Sequence, residues 1–212
     1  MNRPFSEELG RRFARLATDV VVRRPRLWRA FRPLLERQFD RLAPRWDTMR
    51  DPGHLASFEL ALEAVKGEPR RALDLGTGTG AAAFAIARRF PAAEVVGADL
   101  SEAMLAEAGS KTPPELVGRV RFERADAARL PYENGWFDLV GLANMIPFFD
   151  ELDRVTAPGG WVIFSFSSGA ETPIWVPPTR LRRELSRRAF ADFAEFRAGA
   201  GTSLLARKRD AG

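Results

Sequence analysis

Between Ala72 and Phe166 short apolar runs alternate with amphipathic stretches, and that alternation constrains the fold more than any other feature of the chain. The apolar runs are ALDLG from Ala72, VVGADL from Val95, RVRFERAD from Arg119, WFDLVGLAN from Trp136 and WVIFSFSS from Trp161. Helical patterns intervene: an alanine-rich stretch with Phe84 and Ile86 that stops at Pro91, then SEAMLAEAG with Ser101 as its N-cap, and a short helix from Phe148 to Val155. APGG before Trp161 reads as a turn. Strands joined by helical crossovers pair in parallel and need helices on both faces. After a basic helix over Thr179 to Ala189, two strand-like runs flank Gly199-Ala200-Gly201 and read as an antiparallel hairpin. The expected fold is α/β: a doubly wound, Rossmann-like, seven-stranded sheet, mostly parallel, with a C-terminal antiparallel hairpin and N-terminal helices.

Those N-terminal helices follow from Leu9, Phe13, Leu16, Val20, Leu27, Trp28, Phe31, Leu34 and Leu35, which recur at three- and four-residue intervals between arginines. Pro25 and Pro33 are expected to break the pattern. A further helix from Leu55 to Val65 runs into Gly67-Glu68-Pro69, a boundary signal. The chain therefore divides into a basic helical cap, 1–66, and a main domain, 67–212.

Charge separates the two parts. Residues 1–50 hold thirteen arginines against six acids, a net +7, while the whole chain carries +5. Basic appendages face phosphates, anionic lipid or acidic neighbours, although a solvated face in an arginine-favouring chain explains them equally well. With 212 residues, 45% of them hydrophobic, the chain can bury one sizeable core. No apolar run approaches the ~20 residues that cross a bilayer, and MNRPFSEELGRR lacks the apolar core of a secretory signal, so the cytoplasm is the expected location. The absence of cysteine excludes disulfides and thiolate chemistry, and the single His54 leaves too few ligands to expect a metal site.

The first strand runs into Gly76, Gly78 and Gly80, alternate positions stripped of Cβ atoms ahead of a helix. Such a loop lets a ligand lie against the backbone at the helix N-terminus, and Asp99, ending the second strand, sits where a carboxylate accepts ribose hydroxyls. Gly76 to Ala81 also satisfies the G-x-G-x-x-A form of a dinucleotide fingerprint, so a nicotinamide-dependent oxidoreductase stays open. The Tyr-x-x-x-Lys subclass is excluded, because Trp136 stands four residues after the only tyrosine, Tyr132. The nicotinamide reading also leaves Asp74, Asp126-Ala127 and the terminal hairpin without a reason.

Several ordered motifs narrow the choice. LDLGTGTG, VVGADLSEAML, RADAARLPYENGWFDLV and ELDRVTAPGGWVIF stand in the order and spacing of the class I S-adenosylmethionine-dependent methyltransferases, which the chain resembles over residues 39–208. FDRLAPRWD, from Phe39 to Asp47, is similar to the entry segment of the ubiquinone/menaquinone C-methyltransferase-like branch, with Trp46 in place of the usual Tyr. The resemblance implies that residues 67–212 bind S-adenosyl-L-methionine and release S-adenosyl-L-homocysteine. It places the methionine end of the cofactor on Asp74 and the backbone of Gly76, Thr77, Gly78 and Gly80. Asp99 would hold the ribose, Leu100 and Met104 an adenine face, Asp126 and Ala127 the adenine edge, and Asn144 would lie near the transferred methyl.

The implied acceptor is a small or lipid-like molecule, with Phe148, Phe149, Trp161 and Trp175 either lining its pocket or filling the core. His54 is the one candidate base with a near-neutral reference pKa, Glu59 a weaker substitute, and a solvated loop histidine the competing reading. The basic cap allows contact with anionic membrane. RNA methylation is its rival, although no recognised RNA-binding module is present.

Overall fold

The computed structural model describes residues 5–210. The first four residues of the expected cap and the last two of the main domain lie outside the described residues.

Five strands run parallel: β1 (Arg71–Leu75), β2 (Glu94–Asp99), β3 (Val120–Arg124), β4 (Phe137–Ala143) and β5 (Thr156–Phe166). The hairpin β6 (Phe190–Ala198) and β7 (Gly201–Lys208) closes the sheet antiparallel, giving the order β3-β2-β1-β4-β5-β7-β6. Around it lie α1 (Phe5–Arg23), α2 (Trp28–Leu42), α3 (Ala56–Ala64), α4 (Ala81–Arg89), α5 (Glu102–Ser110), α6 (Phe149–Val155) and α7 (Pro178–Ser186). The expected seven-stranded fold is the one observed.

Neighbouring strand residues point to opposite faces, and each face has its own core. Leu73, Leu75, Val140, Leu142 and Phe164 pack with Trp28 and Leu35 of the cap, whereas Ala72, Val95, Leu139 and Ile163 pack with Phe58 and Leu62 of α3 and Ile86 of α4. Because α3 belongs to this second core, the sheet's helical layer begins at Ala56, not at the expected boundary of residue 67. A Cβ on Gly141 of β4 would stand 2.9 Å from Phe58, which shows how closely α3 lies on the sheet.

Two other expectations differ from what is observed. Pro25 separates α1 from α2, but Pro33 sits inside α2, where it and Arg29 are exposed. The carbonyl deprived of a partner by Pro33 therefore faces water, and the helix continues. APGG is not a free turn: it lies within β5, where the register jumps from Phe137–Thr156 to Leu139–Trp161 and Gly159 takes φ +74°. The extra residues bulge out of the ladder while the strand continues.

Candidate functional site

At the C-terminal ends of β1, β2 and β4 lies a cavity of about 80 Å³, room for roughly half a dozen waters. In a doubly wound sheet this edge is where ligands bind. Gly76 and Gly78 line it from the loop after β1, with Asp99 and Leu100 after β2. Met104 of α5, Ala127 after β3 and Asn144 after β4 complete the inner wall.

The loop is held open from behind. Gly76, Gly78 and Gly80 take φ of +75°, +53° and +87°, a backbone that side chains oppose. Gly76 and Thr77 donate their N–H groups to the Ala98 carbonyl at 2.8 and 3.0 Å, so the loop is laced to the end of β2. Asp99 completes the lacing by accepting from Gly78 N at 2.8 Å and from Ser101 N at 2.9 Å. Burial raises the Asp99 pKa against the lowering effect of those N–H donors. Ser101 also caps α5 by accepting from Met104 N at 3.2 Å, as expected.

Asp74 is not among the lining residues, and its Oδ1 is buried without a hydrogen-bond partner. It shares strand parity with Ala72 and so faces the α4 layer, while Leu75, one residue on, lines the cavity. There it is fully buried, its Oδ2 accepting the Thr77 hydroxyl at 2.6 Å, and burial raises its pKa to about 6. Asp74 and Thr77 therefore brace the glycine loop from the rear, and Gly80, packed on Phe84 and Phe122, is likewise absent from the lining.

Asp126 is engaged by the cap. Its carboxylate accepts from Trp28 Nε1 at 2.8 Å, Arg32 Nη1 at 3.1 Å and Ala128 N at 2.9 Å, and only its neighbour Ala127 lines the cavity. Asn144 takes φ +56° and spends its amide on Ser167, donating to Oγ at 3.0 Å and accepting from N at 2.9 Å. It is positioned by the ends of β4 and β5 at the cavity wall.

His54 lies outside the lining. Its ring contacts Arg50 Nη1 at 3.3 Å through Nε2 and the Asp51 carbonyl at 3.1 Å through Nδ1. Burial first, then the Arg50 charge, push its pKa below the usual imidazole value, so the ring is neutral. Nothing in this geometry supports the expected base, and Glu59 is exposed on α3. Phe148, Phe149 and Trp161 are buried in the cores, and none of these three, nor Trp175, lines the cavity.

The outer wall is formed by Trp28, Leu35, Phe39 and Arg50 from the N-terminal region, and by Met145, Ile146 and Ile174 from the sheet side. Trp46, noted only as a departure from the entry segment, joins them. A Cβ on Gly78 would stand 3.3 Å from both Arg50 Nη2 and Trp46 Nε1; one on Gly76 would stand 2.7 Å from Met145 Sδ. The i, i+4 spacing of Trp46 and Arg50, a stacked cation–π pair with 5.2 Å to the ring centroid, was the available signal.

The cap is tied down over this site by its own acids. Glu36 accepts from Arg124, Asp40 from Ser101 Oγ at 2.5 Å, and Asp47 from Thr79 Oγ1 at 2.5 Å and Lys111 Nζ at 2.9 Å. The chemistry of the cradle suits an adenosyl amino-acid cofactor: two glycines whose Cβ atoms would fill it, a carboxylate at the second strand, an apolar adenine face, and Trp46 Nε1 and Asp74 Oδ1, both buried without a hydrogen-bond partner.

Comparison with known proteins agrees with this geometry. Residues 72–160 match the model of a methyltransferase domain. A demethylmenaquinone methyltransferase from Thermus thermophilus is 41% identical over 143 residues, covering 59% of this chain and 62% of that protein. A malonyl-(acyl-carrier protein) O-methyltransferase from Halorhodospira halophila is 39% identical over 150 residues, 66% of this chain and 50% of that one. The chain thus spans less than two thirds of the length of these curated relatives. Among solved structures, a chain of the complex between the Haloferax volcanii Trm112 methyltransferase activator and a methyltransferase superposes with a TM-score of 0.67 at 17% identity, over 81% of this chain and 97% of that one. At that identity the likeness is one of fold.

Proposed function

We propose that this chain, whose residues 72–160 match the model of a methyltransferase domain, transfers a methyl group from S-adenosyl-L-methionine to a small-molecule or lipid-like acceptor. One observation carries the reading: the glycine cradle, Asp99, Leu100, Met104 and Ala127 meet in a single cavity whose outer wall is apolar but for Arg50. The cofactor supplies a sulfonium methyl already activated for in-line displacement, with S-adenosyl-L-homocysteine left behind.

The chain's residues then have to bind, orient and exclude water. Orientation alone lowers such barriers by about 7–11 kcal/mol in favourable cases, so no protein nucleophile is required. Asp99, fixed by two N–H groups, presents its carboxylate toward ribose hydroxyls, while Leu100, Met104 and Ala127 offer an apolar slot for a purine. Asp74 and Thr77 act from behind, fixing the loop that these groups depend on. Phe39, Trp46, Ile146 and Ile174 form the wall against which an apolar acceptor would lie. Asp99 and Arg50 are the only ionisable side chains in the lining, so an acceptor bearing a proton on its nucleophilic atom would ionise without help from His54.

The relatives named for demethylmenaquinone and for a malonyl-carrier substrate favour quinone-like or acyl acceptors. Incubation with methyl-labelled S-adenosylmethionine and a demethylmenaquinol tests this: label appearing in the organic phase supports the reading, and no label on a quinol or an acyl thioester opposes it. The nicotinamide alternative gains nothing from the geometry, since Asp74 braces the loop and the hairpin completes the sheet.

A finer reading concerns the partner. With Glu36, Asp40 and Asp47 turned inward, Arg23, Arg24, Arg26 and Arg29 stand exposed around Leu27 where α1 turns into α2. That tip suits an anionic bilayer, from which a lipid-like acceptor would enter. Co-sedimentation with phosphatidylglycerol vesicles, lost on replacing these arginines by glutamine, supports it; equal retention by RNA favours the RNA reading.

A further inference from the structure

Among the residues lining the cavity, Arg50 is the only cation and Asp99 the only anion. The two are not paired. Both Asp99 oxygens accept backbone N–H groups, and Arg50 forms no ion pair with a carboxylate among the described residues. Instead its guanidinium lies over the Trp46 ring at 5.2 Å, with Nη1 3.3 Å from His54 Nε2. Neither neighbour carries a negative charge. The charges of Asp47, Asp74 and Asp99 act on Arg50 without forming an ion pair with it, and a largely buried guanidinium held by an aromatic ring and a neutral imidazole keeps its N–H fork for an anionic ligand.

We infer that Arg50 anchors the carboxylate at the amino-acid end of the cofactor, and that His54 is the positioning residue that holds the guanidinium for it. The inference rests on the methyltransferase reading of the cavity. Arg50 Nη2 stands 3.3 Å from the point where a Cβ on Gly78 would be, so the guanidinium borders the space that the glycine loop leaves for a ligand. Asp74, the residue that the family resemblance assigns to this end, turns to the α4 layer and accepts the Thr77 hydroxyl with Oδ2, and its charge acts on Arg50. S-adenosylmethionine carries one carboxylate, and a guanidinium's planar fork of N–H donors matches a carboxylate in bidentate fashion.

His54 completes the arrangement through its tautomer. With Nδ1 3.1 Å from the Asp51 carbonyl oxygen, the ring's proton belongs on Nδ1, which leaves the Nε2 lone pair to accept from Arg50. Burial and the adjacent cation keep the ring neutral, as this acceptor role requires. Trp46 supports the flat guanidinium from its other contact, so three residues within nine positions of the chain build one anchor.

The test is calorimetric titration of the full chain with S-adenosylhomocysteine and with S-adenosyl-3-thiopropylamine, its decarboxylated analogue. Wild type should prefer the carboxylate-bearing ligand by about 10- to 100-fold. Arg50→Ala should erase that preference by weakening S-adenosylhomocysteine alone. His54→Ala should erode it, and His54→Gln, whose amide oxygen can accept from Arg50, should restore much of it. Should Arg50→Ala fail to fold, Arg50→Lys, which keeps the charge without the fork, should show a reduced preference. A preference undiminished by either Arg50 substitution, or equal weakening of both ligands, overturns the inference. A wild type that binds neither nucleoside overturns the methyltransferase reading itself, a result told apart because no substitution is involved.

Discussion

Asp99 Oδ2 accepts the backbone N–H of Gly78 at 2.8 Å, joining the glycine loop after β1 to the end of β2. One carboxylate therefore both shapes the loop and faces the cavity. Asp99→Ala leaves Gly78 N and Ser101 N without their partner, at about 1–3 kcal/mol. Thermal unfolding should show a midpoint lowered by roughly 2–12 °C at this chain length, together with weakened S-adenosylhomocysteine binding.

Gly78→Val tests the close approach. At φ +53°, with Trp46 and Arg50 each 3.3 Å from the new Cβ, valine is strained by its backbone and crowded by the outer wall. Titration should find no measurable S-adenosylhomocysteine affinity while circular dichroism still reports the α/β fold. Unchanged affinity would mean that no ligand lies against this loop.

Asp74 sets a pH dependence of stability. Burial raises its folded pKa from 3.8 to about 6, so the folded protein binds a proton that the unfolded chain has already released. Between about pH 4 and 6 the unfolded state therefore holds fewer protons, and this group's contribution to stability falls as pH rises. The total is at most about 3 kcal/mol, at about 1.4 kcal/mol per pKa unit. Asp74→Asn, which can still accept from Thr77, should gain on wild type by up to that amount between pH 4 and 7 in urea unfolding midpoints. A constant difference across that range would contradict the assigned burial.

Asp47 fastens the cap through Thr79 and Lys111. Asp47→Ala should raise amide hydrogen exchange across residues 43–50 while leaving α4 protected, and should speed nucleoside dissociation. Exchange unchanged in that segment would show that the cap is held by its apolar contacts alone.

Much of this architecture is legible in the sequence because it rests on local pattern: the alternation of strands and helices, the Ser101 cap, the glycine loop and the terminal hairpin. Motif position assigns Asp74 to the methionine end of the cofactor, while strand parity turns it from Leu75 toward the α4 layer. From the sequence Pro33 reads as a break, and only the exposure of Arg29 shows that its lost hydrogen bond is cheap. Trp46 and Arg50 reach the cavity by tertiary folding of the N-terminal region over the glycine loop; their i, i+4 spacing signals a contact between the two but not where they lie. The α3 helix reads as part of the cap for the same reason, its packing against Gly141 being visible only in three dimensions.

The most direct measurement is calorimetric titration of the purified chain with S-adenosylhomocysteine and, separately, NADH, repeated with Asp99→Ala. The account predicts micromolar binding of S-adenosylhomocysteine, lost or strongly weakened in the variant, and no uptake of NADH. Binding of NADH with silence toward S-adenosylhomocysteine would contradict it.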